Sequence, residues 1–457
     1  MTPERTASLP FGEVMAIAHE YEQARRFADA ARLLAHVLNA APDHAPALHL
    51  LGVVAFHQGH KERALALMRR AIALGIDTPL YYRNIGELYR VLGRHDEERE
   101  AARRAVALNP GDAIALLNCG IILADQNLSH EAIACFEQAL AIDDRLASAH
   151  FGLAEALLAT GALARGWEEY EWRFRLPGVR PVLPKTDLPQ WGGTPIAEGA
   201  LLLIADQGFG DAIQFCRYIP WAAARAADIV IACAPPLQPL LRQLYPGLRL
   251  VSNWQQVGRF AAWAPLSGLP RLAGTTLASI PAAIPYLRAA PARIARWQAQ
   301  LDALAPPNLK RIGIAWAGRP AHKNDWKRSM TLDALAPVAA LDGVALVVLQ
   351  KGPEQRQAGF YYGRAPLVHL SAEVEDFEDT MAIMHGLDLV LTVDTSVAHL
   401  AGAMGRPVWI LLPWCAEWRW LQHRPDSPWY PTARLFRQPA PNDWPGAAAQ
   451  VAAALRG

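Results

Sequence analysis

The sequence predicts an α region followed by an α/β region: a solenoid of helix pairs over residues 11–175, then two Rossmann-like halves over residues 196–300 and 301–457. Three observations carry this. A 34-residue period runs through the first part, short apolar runs alternate with helical patterns in the second, and a Pro-rich stretch over residues 176–195 divides them.

A chain of 457 residues exceeds what one hydrophobic core supports, so two or three domains are expected, preceded by a short tail over residues 1–10. With 52% hydrophobic and 19% charged residues the composition is that of a folded chain. The 44 basic and 43 acidic residues leave a net charge of +1, which excludes a global field drawing the protein to nucleic acid or an anionic membrane. The opening MTPERTASLPFGEVMA has no basic stretch before an apolar core, and no run reaches the roughly 18 apolar residues of a membrane span, so a cytoplasmic protein is expected. Five cysteines (Cys119, Cys135, Cys216, Cys233 and Cys415) stand apart in apolar segments and read as reduced, buried thiols.

The period begins at Phe11, Ala45, Pro79, Ala113 and Ala147. Its eighth position reads Ala18, Gly52, Gly86, Gly120 and Ala154, and its twentieth reads Ala30, Ala64, Glu98, Ala132 and Gly166. Small residues at these two places let antiparallel helices approach, while Leu51, Met68, Tyr89 and Phe136 fill the space around them. Glu98 breaks the pattern, so the third pair is expected to pack loosely. The period with these small positions resembles the tetratricopeptide repeat, five times over. Such pairs hide their apolar faces only by stacking, which yields a concave surface suited to a peptide or protein client. Bracing or dimerising the rest of the chain is the other use of such an array, so homo-oligomers are compatible with it. Trp167, Tyr170 and Trp172, at the end of the fifth repeat, read as packing groups.

Strands are expected at LLLIADQ, DIVIACA and LRLVS, from Leu201, Asp228 and Leu248. A second series follows from Arg311, Val344, Leu367, Leu389 and Val408. The turn after the first strand reads ADQGFGDAIQF. There Gln207, Gly208 and Gly210 would let a ligand approach the backbone, and Asp211 would face the cleft from a helix N-terminus. Asp211 is also an ordinary helix cap. In LVLTVDTSVAHLAGAMGRPVW a buried strand ends at Asp394, and the helix beginning with Thr395 and Ser396 offers free N–H groups to a diphosphate. His399, four residues after Thr395, would join it, although a histidine so placed is commonly structural. Lys323, Lys327, Arg328 and Ser329, after the first strand of the second half, would clamp phosphate oxygens or form a solvated basic loop. Glu354, after LQKG, is a candidate contact for ribose or base. The cluster Trp414, Trp418, Trp420, Trp429 and Tyr430 reads as packing, with a base-stacking wall as the alternative.

Residues 185–455 resemble the heptosyltransferase-like glycosyltransferases of family 9 through GFGDAIQF, IAWAGRP with KRSM, LQKG, DFEDTMAIMHGLDLVLTVDTSVAHLAGAMGRPVW and WRWLQHRPDSPWYP. The resemblance implies a GT-B fold of two Rossmann-like domains, with the acceptor bound by the first half and a nucleotide-sugar donor by the second. It implies no metal or other cofactor, and the sequence contains no Asp-x-Asp triplet. It also implies that Asp211 is the general base and that Asp394, Thr395, Ser396 and His399 bind donor. Phe209 and the KRSM phrase depart from the family, so the donor's identity does not transfer. Some relatives with repeats joined to such a domain modify flagellin, which implies a protein acceptor seated by the repeats. Two other readings remain: an inactive interaction scaffold, and a transferase acting on a lipid-linked or polysaccharide acceptor.

Overall fold

The computed structural model describes residues 9–180, 182–306, 308–322, 324–370 and 373–457. Most of the expected N-terminal tail, and Lys323, lie outside the described residues. The chain divides into two compact units, Met1–Leu153 and Ala154–Gly457, and the division falls inside the fifth 34-residue period. Among the described residues no helix is long and apolar enough to cross a membrane.

The first unit is a run of antiparallel helix pairs: α1 Phe11–Gln23 and α2 Phe27–Ala40, α3 Ala45–His57 and α4 Lys61–Ala73, α5 Pro79–Val91 and α6 His95–Leu108, α7 Ala113–Asp125 and α8 Ser129–Ile142. A further pair, α9 Ala147–Thr160 and α10 Leu163–Tyr170, completes the fifth period. Glycine at the eighth position sets the approach in the second and fourth pairs. A Cβ on Gly52 would lie 2.7 Å from Met68 Cγ, and one on Gly120 would lie 2.6 Å from the Phe136 ring, so neither helix pair could close over a side chain there. At Gly86 the nearest atom is Ala101 Cβ at 3.7 Å, and the contact is looser, as Glu98 in the twentieth position foretells. Glu98 is nevertheless buried, its carboxylate takes a hydrogen bond from His95 Nδ1 at 3.3 Å, and burial raises its pKa.

One rule of the repeat was not read from the sequence. The fifteenth position is left-handed in every period: Arg25 (φ 57°), Gly59 (84°), Gly93 (69°), Asn127 (61°) and Gly161 (88°). The next residue's N–H then returns to the carbonyl five residues back, as Arg26 to Tyr21, His60 to Ala55, Arg94 to Tyr89, Leu128 to Leu123 and Ala162 to Leu157, at 2.7–2.9 Å. This closes the last turn of the first helix of each pair.

The second unit contains two all-parallel sheets. Strands β1 Ile196–Ile204, β2 Ala226–Ala232, β3 Arg249–Val251 and β4 Ala262–Pro265 form the first, in the order β3-β2-β1-β4. The second holds β5 Lys310–Ala315, β6 Val344–Val348, β7 Leu367–Val368, β8 Leu389–Val393, β9 Val408–Leu412 and β10 Ala433–Arg437, in the order β10-β9-β8-β5-β6-β7. Every residue of β6 and β8 is buried, as expected of strands covered on both faces. The Pro-rich stretch is not a free linker throughout: Trp191 is buried and its N–H donates to Trp263 O at 2.7 Å, beside β4. The helix α12 Pro291–Leu304 runs across residues 300 and 301 and packs on α13 Phe377–His385, where Trp297 Nε1 and Arg293 both donate to Asp379.

Among the described residues no two cysteines form a disulfide; Cys119, Cys216 and Cys233 are buried, whereas Cys135 and Cys415 are half-buried.

Two stability outcomes follow from the solenoid. Gly120→Ala should lower stability by about 1–3 kcal/mol through overpacking against Phe136, while Gly86→Ala should raise it by up to about 1 kcal/mol through helix propensity; chemical denaturation of the full chain measures both. His49 is buried, stacks on Tyr81 with ring centroids 4.1 Å apart, and faces Asn84 Nδ2 at 3.1 Å through Nε2; burial pushes its pKa down to about 4. The unfolded chain takes this proton below about pH 6.5 and the folded chain does not, so stability falls as pH drops from about 6.5 to 4, by roughly 3 kcal/mol. His49→Gln should remove that part of the acid sensitivity in denaturation midpoints compared at pH 7 and pH 4.5.

Candidate functional site

In both sheets the loops that follow the carboxyl ends of the strands carry the polar residues singled out by sequence. Strand β1 leads into α11 Phe209–Phe215, and β8 leads into α14 Ser396–Ala403. These two helices pack against each other. The reason is visible at Gly210: a Cβ there would lie 2.8 Å from His399 Cδ2. Gly210, read as a place for close ligand approach, is needed for close approach of the imidazole. Gly208 is the residue before α11, and its N–H donates to Asp211 Oδ2 at 3.0 Å. Asp211 therefore caps its own helix, and its side chain keeps 24% of its exposure. Gln207 turns away and donates through Nε2 to Tyr170 OH at 3.1 Å.

Asp211 Oδ1 is paired with a guanidinium that sequence reasoning did not single out, that of Arg419. Arg419 lies within WRWLQHRPDSPWYP, a phrase valued for its aromatic residues. Its Nε donates to Gln214 Oε1 at 2.6 Å, and its Nη1 pairs with Glu417. Burial opposes its charge, yet Glu417 and Asp211 hold its pKa above the ordinary value. Burial raises Glu417 to about 8, with Arg419 pulling the other way. The loop that carries these residues is held from below by Arg437 of β10, whose Nη2 donates to Trp420 O at 2.9 Å and Leu421 O at 2.8 Å, and Leu421 is left-handed (φ 54°).

Around α14 the groups are more engaged than the sequence suggested. Thr395 caps the helix, accepting from Val397 N–H at 3.3 Å and meeting Thr392 Oγ1 at 3.3 Å. His399 is buried; Nδ1 lies 2.9 Å from Tyr430 OH, Nε2 lies 3.9 Å from Asp394 Oδ1, and the ring stacks on Trp420. Burial, with Arg419, Arg217 and Arg328, drives its pKa well below the ordinary value, so the ring is a neutral hydrogen-bonding group at physiological pH. Asp394 is raised by burial and pulled back by Arg328. Ser396 is half-buried at the helix start.

Of the basic run, Arg328 reaches this site: its charge acts on both Asp394 and His399, and its Nε donates to Asp325 at 3.4 Å. A Cβ at Gly318 would collide with Asp325 and crowd Arg328, which accounts for the glycine in IAWAGRP. Lys327 lies 5.5 Å over the exposed Trp326 ring. Ser329 Oγ accepts from Gly318 N–H at 2.8 Å. Ser329 and Glu354 share a cleft of about 640 Å³ with Asp325, Gln357 and Trp444. Gln350, in LQKG, fixes the loop above it by accepting from Trp316 and Ala317 N–H, both at 2.9 Å. Glu354 itself takes a hydrogen bond from Gln357.

Four of the five clustered aromatic residues pack as expected, and Trp414 does not. Trp418, Trp420, Trp429 and Tyr430 are buried and Trp414 is 39% exposed. Trp167 meets Trp418 edge-on at 5.2 Å and Trp429 at 6.4 Å. Arg217 is buried nearby, donating to Trp429 O at 2.8 Å and Tyr286 OH at 3.1 Å, with the Tyr430 ring 4.8 Å away.

Gly210→Ala should cost about 1–3 kcal/mol by forcing His399 off Tyr430, and in the double variant with His399→Ala most of that cost should vanish; a denaturation cycle of the four proteins measures the coupling.

The tetratricopeptide-repeat family matches the chain over residues 15–79, 59–113 and 119–171. Protein FlbA of Caulobacter vibrioides is 26% identical over 515 residues, covering 97% of this chain and 83% of that protein, so the likeness runs through both units. Among solved structures, MamA is 20% identical over 35% of this chain and 93% of its own, with a TM-score of 0.33. YrrB, described as a TPR protein with an unusual peptide-binding site, is 18% identical over 35% of this chain and 84% of its own, also with a TM-score of 0.33. The N-terminal region is built of tetratricopeptide repeats, and it is joined to an α/β region of two parallel sheets.

Proposed function

We propose that the α/β unit is a GT-B-type glycosyltransferase that moves a sugar from a nucleotide-sugar donor to an acceptor hydroxyl, and that the repeats recruit a protein client bearing that hydroxyl. The observation that supports this best is the meeting of Asp211 with Asp394, His399, Arg328 and Arg419 at the strand ends of two parallel sheets. Open α/β sheets bind ligands at such strand ends. A carboxylate on one side and guanidinium groups on the other are what transfer from a diphosphate requires: one takes the acceptor's proton, the others offset charge as the phosphate leaves.

In this reading Asp211 is the base and Arg328 and Arg419 face the diphosphate. The α14 start, with Ser396, supplies backbone N–H groups. His399 is a neutral donor or acceptor held in orientation by Tyr430, rather than a cation. The cleft with Ser329 and Glu354 takes the nucleoside, and Lys327 is a further cation to offset the charge of the departing phosphate. Guanidinium groups take the part that a metal plays elsewhere, so no cofactor is required. Stacked helix pairs present a concave surface suited to a client on the repeats. The donor's sugar and base are left open by these residues.

Thermal-shift screening against nucleotide sugars and free nucleotides tests the reading, because a ligand that binds only the folded state raises the melting temperature. One donor should shift the wild type by several degrees and shift His399→Ala and Asp394→Ala much less. No shift across the panel would overturn the transferase reading and leave client binding by the repeats.

A further inference from the structure

Arg419 faces two demands that it cannot meet at once. Three of its bonds, to Gln214, Glu417 and Asp211, use three of the five N–H donors of a guanidinium. The bond to Asp211 covers Oδ1, while Gly208 N–H holds Oδ2 at 3.0 Å. Each carboxylate oxygen therefore already takes a hydrogen bond, and the guanidinium stands between Oδ1 and an incoming hydroxyl. A second observation indicates a missing acceptor. Gln214 is fully buried, its Oε1 lies against Arg419, and its Nε2 has no hydrogen-bond partner. A buried amide N–H₂ without an acceptor is unfavourable, because it has lost its bonds to water without replacing them. An anion entering beside Arg419 would satisfy it.

We propose that Arg419 is a counter-ion held in turn by Asp211 and by the donor's phosphates, so that donor binding draws the guanidinium away and unmasks the Asp211 carboxylate. The inference rests on the transferase reading above. With the donor site empty, the pair Asp211–Arg419 neutralises itself and the base is silent. With a diphosphate present, Arg419 and the Gln214 amide turn to the phosphate oxygens, and Asp211 Oδ1 is free to accept a proton from the acceptor hydroxyl. The order that results is donor first, acceptor chemistry second, which limits transfer chemistry to the loaded protein. Asp211 and the donor's phosphates compete for one partner, Arg419, so release of the carboxylate and donor binding are reciprocally coupled.

The test is isothermal titration calorimetry of the full chain with UDP, GDP, ADP, CDP and inorganic pyrophosphate. Asp211→Asn keeps an oxygen for Gly208 N–H but removes the charge that holds Arg419. It should bind the preferred ligand about five-fold or more tighter than the wild type. Arg419→Gln should bind more weakly, and in its background Asp211→Asn should bring no gain. If Arg419→Gln does not fold, Arg419→Lys replaces it, with a smaller gain expected. An equal gain with and without Arg419 would mean simple relief of charge repulsion and would overturn the proposal. So would wild-type binding unchanged or weakened by Asp211→Asn. No binding of any probe by the wild type or Asp211→Asn would overturn the transferase reading itself.

Discussion

A guanidinium removed from water must be surrounded by acceptors, and in the α/β unit the buried Arg217 and Arg419 impose that requirement. Arg217, two residues after α11, finds carbonyls at Pro281 and Trp429 and the Tyr286 hydroxyl, while Tyr286 in turn donates to Ile213 O. Arg419 finds Gln214, Glu417 and Asp211. Between them they bind the helix after β1 to the loop between β9 and β10. The aromatic residues Trp167, Phe215, Trp418 and Trp429 then fill the space around the charges, with edge-on contacts that place ring hydrogens against ring faces. Apolar packing and charge pairing are interleaved here, so neither set of residues can be changed without disturbing the other.

The degree to which this was legible in the sequence depends on whether a residue acts through its neighbours in the chain or through distant ones. The small positions of the repeat announce themselves because helix contact recurs at a fixed spacing, and the central strands because burial on both faces leaves apolar runs. Strands β4 and β10 escaped notice: AWAP is four residues long, and in ARLFR two arginines interrupt a short apolar run. Asp211, Asp394 and His399 could be found because they stand at strand-to-helix turns. Arg419 could not, because its partners Gln214 and Asp211 lie some 200 positions away and nothing local marks a buried arginine among tryptophans. Gly210 reads in the sequence as room for a ligand, whereas the contact the structure shows there is the His399 ring. The left-handed residue of each repeat was readable in Gly59, Gly93, Asn127 and Gly161, and Arg25 in the same position hid the regularity.

That left-handed residue has a bearing on how such a chain changes over generations. The turn it creates is completed by hydrogen bonds within six consecutive residues, from Tyr21 to Arg26 in the first period and from Leu157 to Ala162 in the last. No partner from another repeat is needed to close it. A duplicated or deleted stretch of 34 residues would therefore carry its corner with it intact, and the array could lengthen or shorten in whole steps. The length of the stacked surface is then adjustable by recombination alone, without any compensating change in the α/β unit.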